Sequence, residues 1–339
     1  MTPEIGRPEP DSSERAQASN SARKRRALVV VAAVGVAVYV VVALMTDASG
    51  LMRALRRLGW LGVSAIFGLS LLNYAIRFTR WHSYIRRLGH RLPVRELLLC
   101  YLGGFAFTVS PGKAGEAVRS LYLREHGVTY SESVATLFIE RLLDLLSMIV
   151  LAALVVLVSP GYSWLLIGMA TISIVGMIVI GRPELPAWLA RRAEQRQGHR
   201  TANWYSAASS TLVASRTLLH PRLLLSGLGL GVMSWGAEGL GFFLVCNGLA
   251  FTVGAAQAVG IYAVASLAGV AAILLPAGIG GTEAVMTTLL VSRGAPLADA
   301  LIATLLCRLA TLWFAVVIGL IAMAQLELRQ KQALPAPAN

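Results

Sequence analysis

Apolar residues gather along the chain in long blocks, separated by short arginine-rich or Pro/Gly-rich segments, and block length decides what each one builds. Residues 27–44 are unbroken apolar sequence behind Arg23-Lys24-Arg25-Arg26. The run is too long for a signal-peptide core and no clean small-residue cleavage site follows, so it predicts a first membrane span with a cytoplasmic N-terminus. Residues 1–26 ahead of it predict a disordered tail with a basic end, because Pro, Ser, Glu and Ala dominate without apolar periodicity. Residues 51–58 set Leu and Met against Arg53, Arg56 and Arg57 at helical spacing, which predicts a short amphipathic helix on the outer surface.

A second span is expected over 60–78. Arg80, Arg86, Arg87, Arg91 and Arg95 follow it, and five basic residues in so short a loop place that loop in the cytoplasm. The next apolar block, 96–109, stops before Pro111, and a second short piece reaches about residue 123. Since about 20 helical residues are needed to cross the ~30 Å hydrocarbon core, this pair predicts a re-entrant or broken hairpin. Further spans are expected over 133–158, 163–180, 223–245 and 297–323, with a second hairpin at about 255–291. The polar segment 182–222 holds seven arginines and no lysine, which predicts a cytoplasmic loop lying on anionic lipid. Residues 326–339 form a short polar tail.

Sliding the chain on itself by 167 residues aligns Glu116-Ala117-Val118 with Glu283-Ala284-Val285, Gly127 with Gly294, and Arg141-Leu142 with Arg308-Leu309. Nine of thirty-five positions from Glu116 to Val150 are identical, and the matches include the Glu and Arg that an apolar segment should not contain. Each repeat, about 60–158 and about 223–323, reads as span, hairpin, span. One unpaired span lies between them, so the second is expected upside down. The predicted fold is therefore an all-α polytopic membrane domain over 27–325, with six full spans and two hairpins in an inverted-topology repeat.

The chain is 339 residues long, 56% apolar and 14% charged, with mean hydropathy +0.66, which excludes an ordinary soluble domain. Its net charge of +13 sits in clusters between apolar blocks without interleaved aromatics, so it reads as a topology signal and not as a nucleic-acid surface. Cys100, Cys246 and Cys307 lie in apolar runs without ligand spacing and predict buried free thiols. Neither a metal nor a cofactor is expected. Gly112-Lys113 lacks the earlier glycine and the following Ser/Thr of a nucleotide-binding loop, and His82, His90, His126, His199 and His220 are dispersed.

Chemistry is expected where the hairpins meet. Glu116 and Glu283 open the second arm of each hairpin, and Arg141 and Arg308 follow at one spacing. These four read either as cross-repeat salt bridges or as a polar site in which Arg141, Arg308 and Lys113 attract a phosphate while the glutamates contact a cation or titrate. Glu140 and Asp144 share a helix face with Arg141. Their counterparts in the second repeat are Cys307 and Thr311, so this acidic pair is asymmetric.

The segments GGFAFTVSPGKAGEAVRSLYLREHGV, FIERLLDLL, LLPAGIGGTEAV and CRLATLW resemble the membrane domain of bacterial lysylphosphatidylglycerol synthetases, a family that includes stand-alone flippase-like proteins. The resemblance covers roughly residues 30–325. It implies translocation of a lipid, aminoacylated phospholipid in the best-known members and polyprenyl-phosphate sugar lipids in the pathways of some stand-alone relatives. The family pattern falls on Pro111, Gly112, Gly115, Glu116, Arg119, Glu140, Arg141, Pro276, Gly278, Gly280, Gly281, Glu283 and Arg308. With the chain ending near Asn339 and no soluble acyltransferase-like domain, synthetase activity is not expected to carry over.

Two functions follow as expectations. One is a cell-membrane flippase, not an enzyme, with both termini cytoplasmic. Its partners would be membrane lipids with anionic head groups, a second copy of the chain, or a separate lipid-modifying enzyme. The other is a membrane-embedded transferase or accessory subunit acting on polyprenyl-phosphate lipids, with Glu140 and Asp144 as its acids.

Overall fold

The computed structural model describes residues 12–110, 114–156, 161, 163–196, 200–272 and 278–333. All regular structure among them is helical. The first element, α1 (Ser12–Arg87), is three helices end to end, because the backbone leaves helical geometry at Asp47 and again at Gly59. Those breaks bracket the amphipathic piece that Arg53, Arg56 and Arg57 predict. Asp47 caps it: the carboxylate accepts the Ser49 hydroxyl at 2.6 Å and the Gly50 N–H at 2.8 Å. Residues 12–26, assigned by composition to a disordered tail, belong to α1. Their Ala, Arg, Lys and Glu are all good helix formers.

The 60–87 piece of α1 runs well past residue 78 and is about 42 Å long. This corrects the placing of Arg80 in a cytoplasmic loop. Arg80 is fully buried inside the helix, where a carboxylate from a neighbouring helix receives it.

The first hairpin comprises α2 (Val94–Gly104), a 3-10 turn (Phe105–Phe107), a second 3-10 turn (Ala114–Val118) containing Gly115, and α3 (Arg119–Arg124). After α4 (Tyr130–Val156), α5 (Ser163–Gly181), α6 (Glu184–Gln195), α7 (Arg200–Leu218) and α8 (Pro221–Gly248), the second hairpin is α9 (Ala255–Ala271) and α10 (Gly281–Val291). The chain closes with α11 (Leu297–Arg308), a π-helical turn (Leu309–Trp313) and α12 (Phe314–Ala333). Hairpin arms of 11 residues (α2, α10) and 17 residues (α9) make about 16 and 25 Å of helix, short of the ~30 Å hydrocarbon core. Pro111, Gly112 and Lys113 of the first break and Pro276 of the second lie outside the described residues.

Among the described residues, Leu44–Arg87, Pro221–Gly248 and Leu297–Arg329 are long and apolar enough to cross a membrane. Leu166–Gly181 with Glu184–Gln195, bent by 60°, makes a fourth if the pair is one span. Helix α4 is 27 residues long but carries Glu140, Arg141 and Asp144 in its middle. On α5, Trp164, Ile167, Ile172 and Ile178 are exposed, the outward apolar surface that a lipid-facing helix presents. The protein is a multi-pass helical membrane protein.

The α1 piece 60–87 lies along α8, α4 packs on α9 and α8, and α12 packs on α2. The internal repeat recurs in backbone geometry. Gly127 after α3 and Gly294 after α10 both take left-handed φ, 82° and 90°. Each supports the same C-terminal turn: Val128 N–H donates to Leu123 O, and Ala295 N–H to Leu290 O, both at 3.2 Å.

Candidate functional site

Between the described parts of the two hairpins is a cavity of about 270 Å³. Thr108 and Glu116 bring the first hairpin to its wall, and Gly269, Gly278 and Thr282 bring the second. Arg141 and Asp144 of α4, Arg77 of α1, Glu238 of α8, Tyr262 of α9 and Arg308 of α11 add to its polar lining. Phe105, Leu145, Met148 and Leu312 supply apolar wall between them.

Local sequence explains how these groups are held. Gly278 has φ of 65°, and a Cβ there would stand 2.5 Å from Gly269 O, so only glycine lets the two arms of the second hairpin approach. At the start of α10, Glu283 Oε2 accepts the Gly280 N–H at 2.7 Å, which ties the carboxylate to the turn. Its other oxygen accepts Arg308 Nε at 2.7 Å and the Tyr39 hydroxyl at 2.6 Å. In the first repeat, Glu116 Oε2 accepts Arg141 Nη2 at 2.7 Å. Glu116 to Arg141 and Glu283 to Arg308 are therefore the same contact made twice. The expectation of bridges between repeats is corrected: each glutamate pairs with the arginine 25 residues on in its own copy, since the second hairpin arm and the next helix are chain neighbours that pack together.

Around the first pair the structure builds a larger buried network. Arg119 joins Glu116 at 2.7 Å and Glu140 at 3.0 Å, with its guanidinium over the rings of Tyr101 and Trp81 at 4.7 and 5.7 Å. Glu140, fully buried, also accepts the Tyr101 hydroxyl at 3.2 Å. Asp144 accepts Arg80 Nη2 at 2.5 Å and the Trp235 indole N–H at 3.1 Å, and lies 3.5 Å from both Arg77 and Arg141. Seven charged side chains thus share one site in helical, mostly apolar surroundings. A buried charge survives there only when paired and hydrogen-bonded.

Of the residues singled out from sequence, Glu116, Arg141, Asp144 and Arg308 line the cavity. Arg119 and Glu140 stand behind that wall and hold Glu116 in place; Glu283 does the same for Arg308. Lys113 lies outside the described residues. Of the asymmetric pair's counterparts, Thr311 lines the cavity, as does Asp144, while Cys307 is a buried free thiol, as are Cys100 and Cys246.

Sequence reasoning missed Arg77, Arg80, Trp235, Glu238 and Tyr262. Glu238, 5% exposed, accepts the Tyr262 hydroxyl on the α8 and α9 side of the cavity. A glutamate inside a glycine-rich apolar helix was a signal in itself. For Arg77 and Arg80 the signal was the spacing of Arg77, Arg80, Trp81 and Tyr84, three and four apart, which stacks them along one side of a continuing helix.

A comparison with curated protein sequences finds no match. A family model described as "Lysylphosphatidylglycerol synthase TM region" matches residues 29–319. That stretch contains both hairpins, both Glu–Arg pairs and the whole cavity wall. The chain belongs to the family of the lysylphosphatidylglycerol synthase transmembrane region.

Proposed function

We propose that the chain is a lipid translocase of the cell membrane. Its cavity receives the head group of an anionic or aminoacylated phospholipid, or of a polyprenyl-phosphate-linked lipid, while the acyl or prenyl tails stay in the bilayer. One observation carries this reading: a single cavity has Arg141 of one repeat and Arg308 of the other in its wall, each held in reserve by its own hairpin glutamate. Six charged side chains line that space, three guanidiniums (Arg77, Arg141, Arg308) and three carboxylates (Glu116, Asp144, Glu238). Such a lining exchanges protein ion pairs for pairs with a head group, phosphate on guanidinium and ammonium on carboxylate. A chain that only needed to fold in lipid gains nothing from charges around a cavity.

We read the two repeats as inserted in opposite orientations within six spans, which sets both breaks near the bilayer midplane and gives the cavity alternate access from the two leaflets. The arginine-rich loops set both termini in the cytoplasm. Movement is downhill or coupled to an ion through Glu116 or Glu283. The transferase reading draws less support, because Glu140 is fully buried against Arg119 and Tyr101 instead of being presented to a substrate.

The test is transbilayer movement of labelled lipids in liposomes holding the purified protein, across aminoacylated, plain anionic and polyprenyl-phosphate lipids, with and without a pH gradient. Movement of one class, lost in folded Glu116→Gln and Arg308→Ala proteins, is the expected result and names the head group. If no class moves under either condition, the transport reading fails and chemical turnover becomes the assay.

A further inference from the structure

The buried network on the α4 side of the cavity holds four guanidiniums, Arg77, Arg80, Arg119 and Arg141, against three carboxylates, Glu116, Glu140 and Asp144. Close contacts of 2.5 to 3.0 Å engage three of the four cations. Arg77 is the exception. Its one ion pair is Nη2 to Asp144 Oδ2 at 3.5 Å, and that carboxylate already takes Arg80 at 2.5 Å and the Trp235 indole N–H at 3.1 Å. Among the described residues the enclosed Arg77 Nε has no hydrogen-bond partner, as is also true of Arg80 Nε and Nη1 and of Arg141 Nε, and Arg77, only 5% exposed, lines the cavity. Glu238, the remaining carboxylate of the wall, is engaged by Tyr262.

Aromatic rings hold the Arg77 guanidinium. Its carbon lies 5.2 Å from the ring centre of Trp235 and 5.6 Å from that of Phe105. Cation–π contact fixes the plane of the group without consuming its N–H donors. What results is a buried, oriented cation with only a long ion pair, lining the chamber, a cation open to bidentate pairing with phosphate. Arg141 and Arg308, in contrast, must first leave carboxylates at 2.7 Å.

We infer that Arg77 is the docking residue for a phosphate group entering the cavity, and that Arg141 and Arg308 join only after it is seated. The chemistry is shared by a lipid phosphodiester and by free phosphate. The inference rests on the reading of the cavity as a head-group passage and names the side chain that begins the passage.

The test uses the purified full chain in detergent, titrated calorimetrically with dihexanoyl phosphatidylglycerol, with inorganic phosphate, and with dihexanoylglycerol, which lacks the phosphate. The wild-type protein is expected to bind the phosphatidylglycerol probe more tightly than dihexanoylglycerol. Arg77→Gln and Arg77→Lys should each weaken the phosphatidylglycerol probe by about tenfold or more and leave dihexanoylglycerol unchanged. Arg77→Lys keeps the buried charge while losing the planar fork, so a loss of phosphate preference in it is not a folding defect. Unchanged binding in folded Arg77→Lys overturns the inference and leaves the head-group reading standing. Inorganic phosphate displacing the lipid probe at equal concentration supports docking at Arg77 but assigns it to free phosphate, which overturns the lipid half of the inference. A wild-type protein that does not distinguish phosphatidylglycerol from dihexanoylglycerol sinks the head-group reading and this inference with it.

Discussion

Arg308 Nε lies 2.7 Å from Glu283 Oε1, and the contact spans the same 25 residues as Arg141 to Glu116, also 2.7 Å, in the earlier copy of the motif. Each carboxylate starts the returning arm of a broken hairpin and each arginine belongs to the helix that follows. The pair therefore clamps a hairpin arm to the next helix twice in one chain.

Breaking one clamp from one side leaves a charge in apolar surroundings, which costs about 3–5 kcal/mol, whereas removing both charges together costs much less. Arg308→Met alone is accordingly expected to lower the unfolding midpoint in detergent more than Glu283→Gln with Arg308→Met. Equal losses in the single and double variants would show that the two groups are not coupled.

Asp144 supports a different set of groups. It takes Arg80 at 2.5 Å and the Trp235 indole at 3.1 Å, and both Arg80 and Asp144 are buried. Asp144→Asn retains the size and one acceptor oxygen but leaves Arg80 without its closest counter-charge, so a loss of about 3–5 kcal/mol is expected. Adding Arg80→Met to Asp144→Asn should restore a large part of it. Thermal unfolding of the three proteins decides the matter; a double variant no more stable than Asp144→Asn would mean Arg80 is held mainly by Glu140, 4.0 Å away.

Gly104 closes α2 beside Arg119, and a Cβ added there would stand 2.7 Å from Arg119 Nε and 3.0 Å from its Cγ. Arg119 has little room to yield, being bonded to Glu116 and Glu140 and stacked on Tyr101. Gly104→Ala is expected to cost about 1–3 kcal/mol through overpacking, and to slow lipid movement because Glu116 loses a fixed neighbour. Full activity with wild-type stability would show that Arg119 does not position Glu116.

The recurrence of Glu116 and Arg141 as Glu283 and Arg308, and that these glutamates and arginines pair, were legible from sequence because ionisable residues in apolar blocks stand out and recur at one offset. The partners were not. Nothing in the spacing distinguishes a glutamate that meets its own arginine from one that meets the other copy's, since that depends on how adjacent helices pack. Arg80 was misread for a definite reason: five arginines after an apolar block look like a loop, and only the continuation of α1 to Arg87 turns the first of them inward, while Arg77 lay unremarked inside the expected 60–78 span. Glu238 stands among glycines of α8 whose role is close helix packing, as Gly239 shows by abutting Val259, where a Cβ would lie 2.9 Å from the valine Cα.

The second hairpin offers the sharpest contrast between neighbouring positions. Gly278 sits at φ of 65°, faces the cavity, and would drive a Cβ to 2.5 Å from the Gly269 carbonyl oxygen. Gly281, three residues on, already has helical geometry at the start of α10, and its added Cβ would meet Ala272 Cβ at 3.2 Å, a contact that a small shift relieves. Left-handed backbone costs a residue with a side chain about 1–2 kcal/mol, and the clash with backbone adds to that because a carbonyl in a helix cannot swing aside. Gly278→Ala is thus expected to part the two hairpin arms and to abolish lipid movement in liposomes, while Gly281→Ala stays within about 1 kcal/mol of wild type and keeps most of the rate. Equal activity in both variants would mean that the close approach of Gly278 to Gly269 is not needed for the proposed lipid movement.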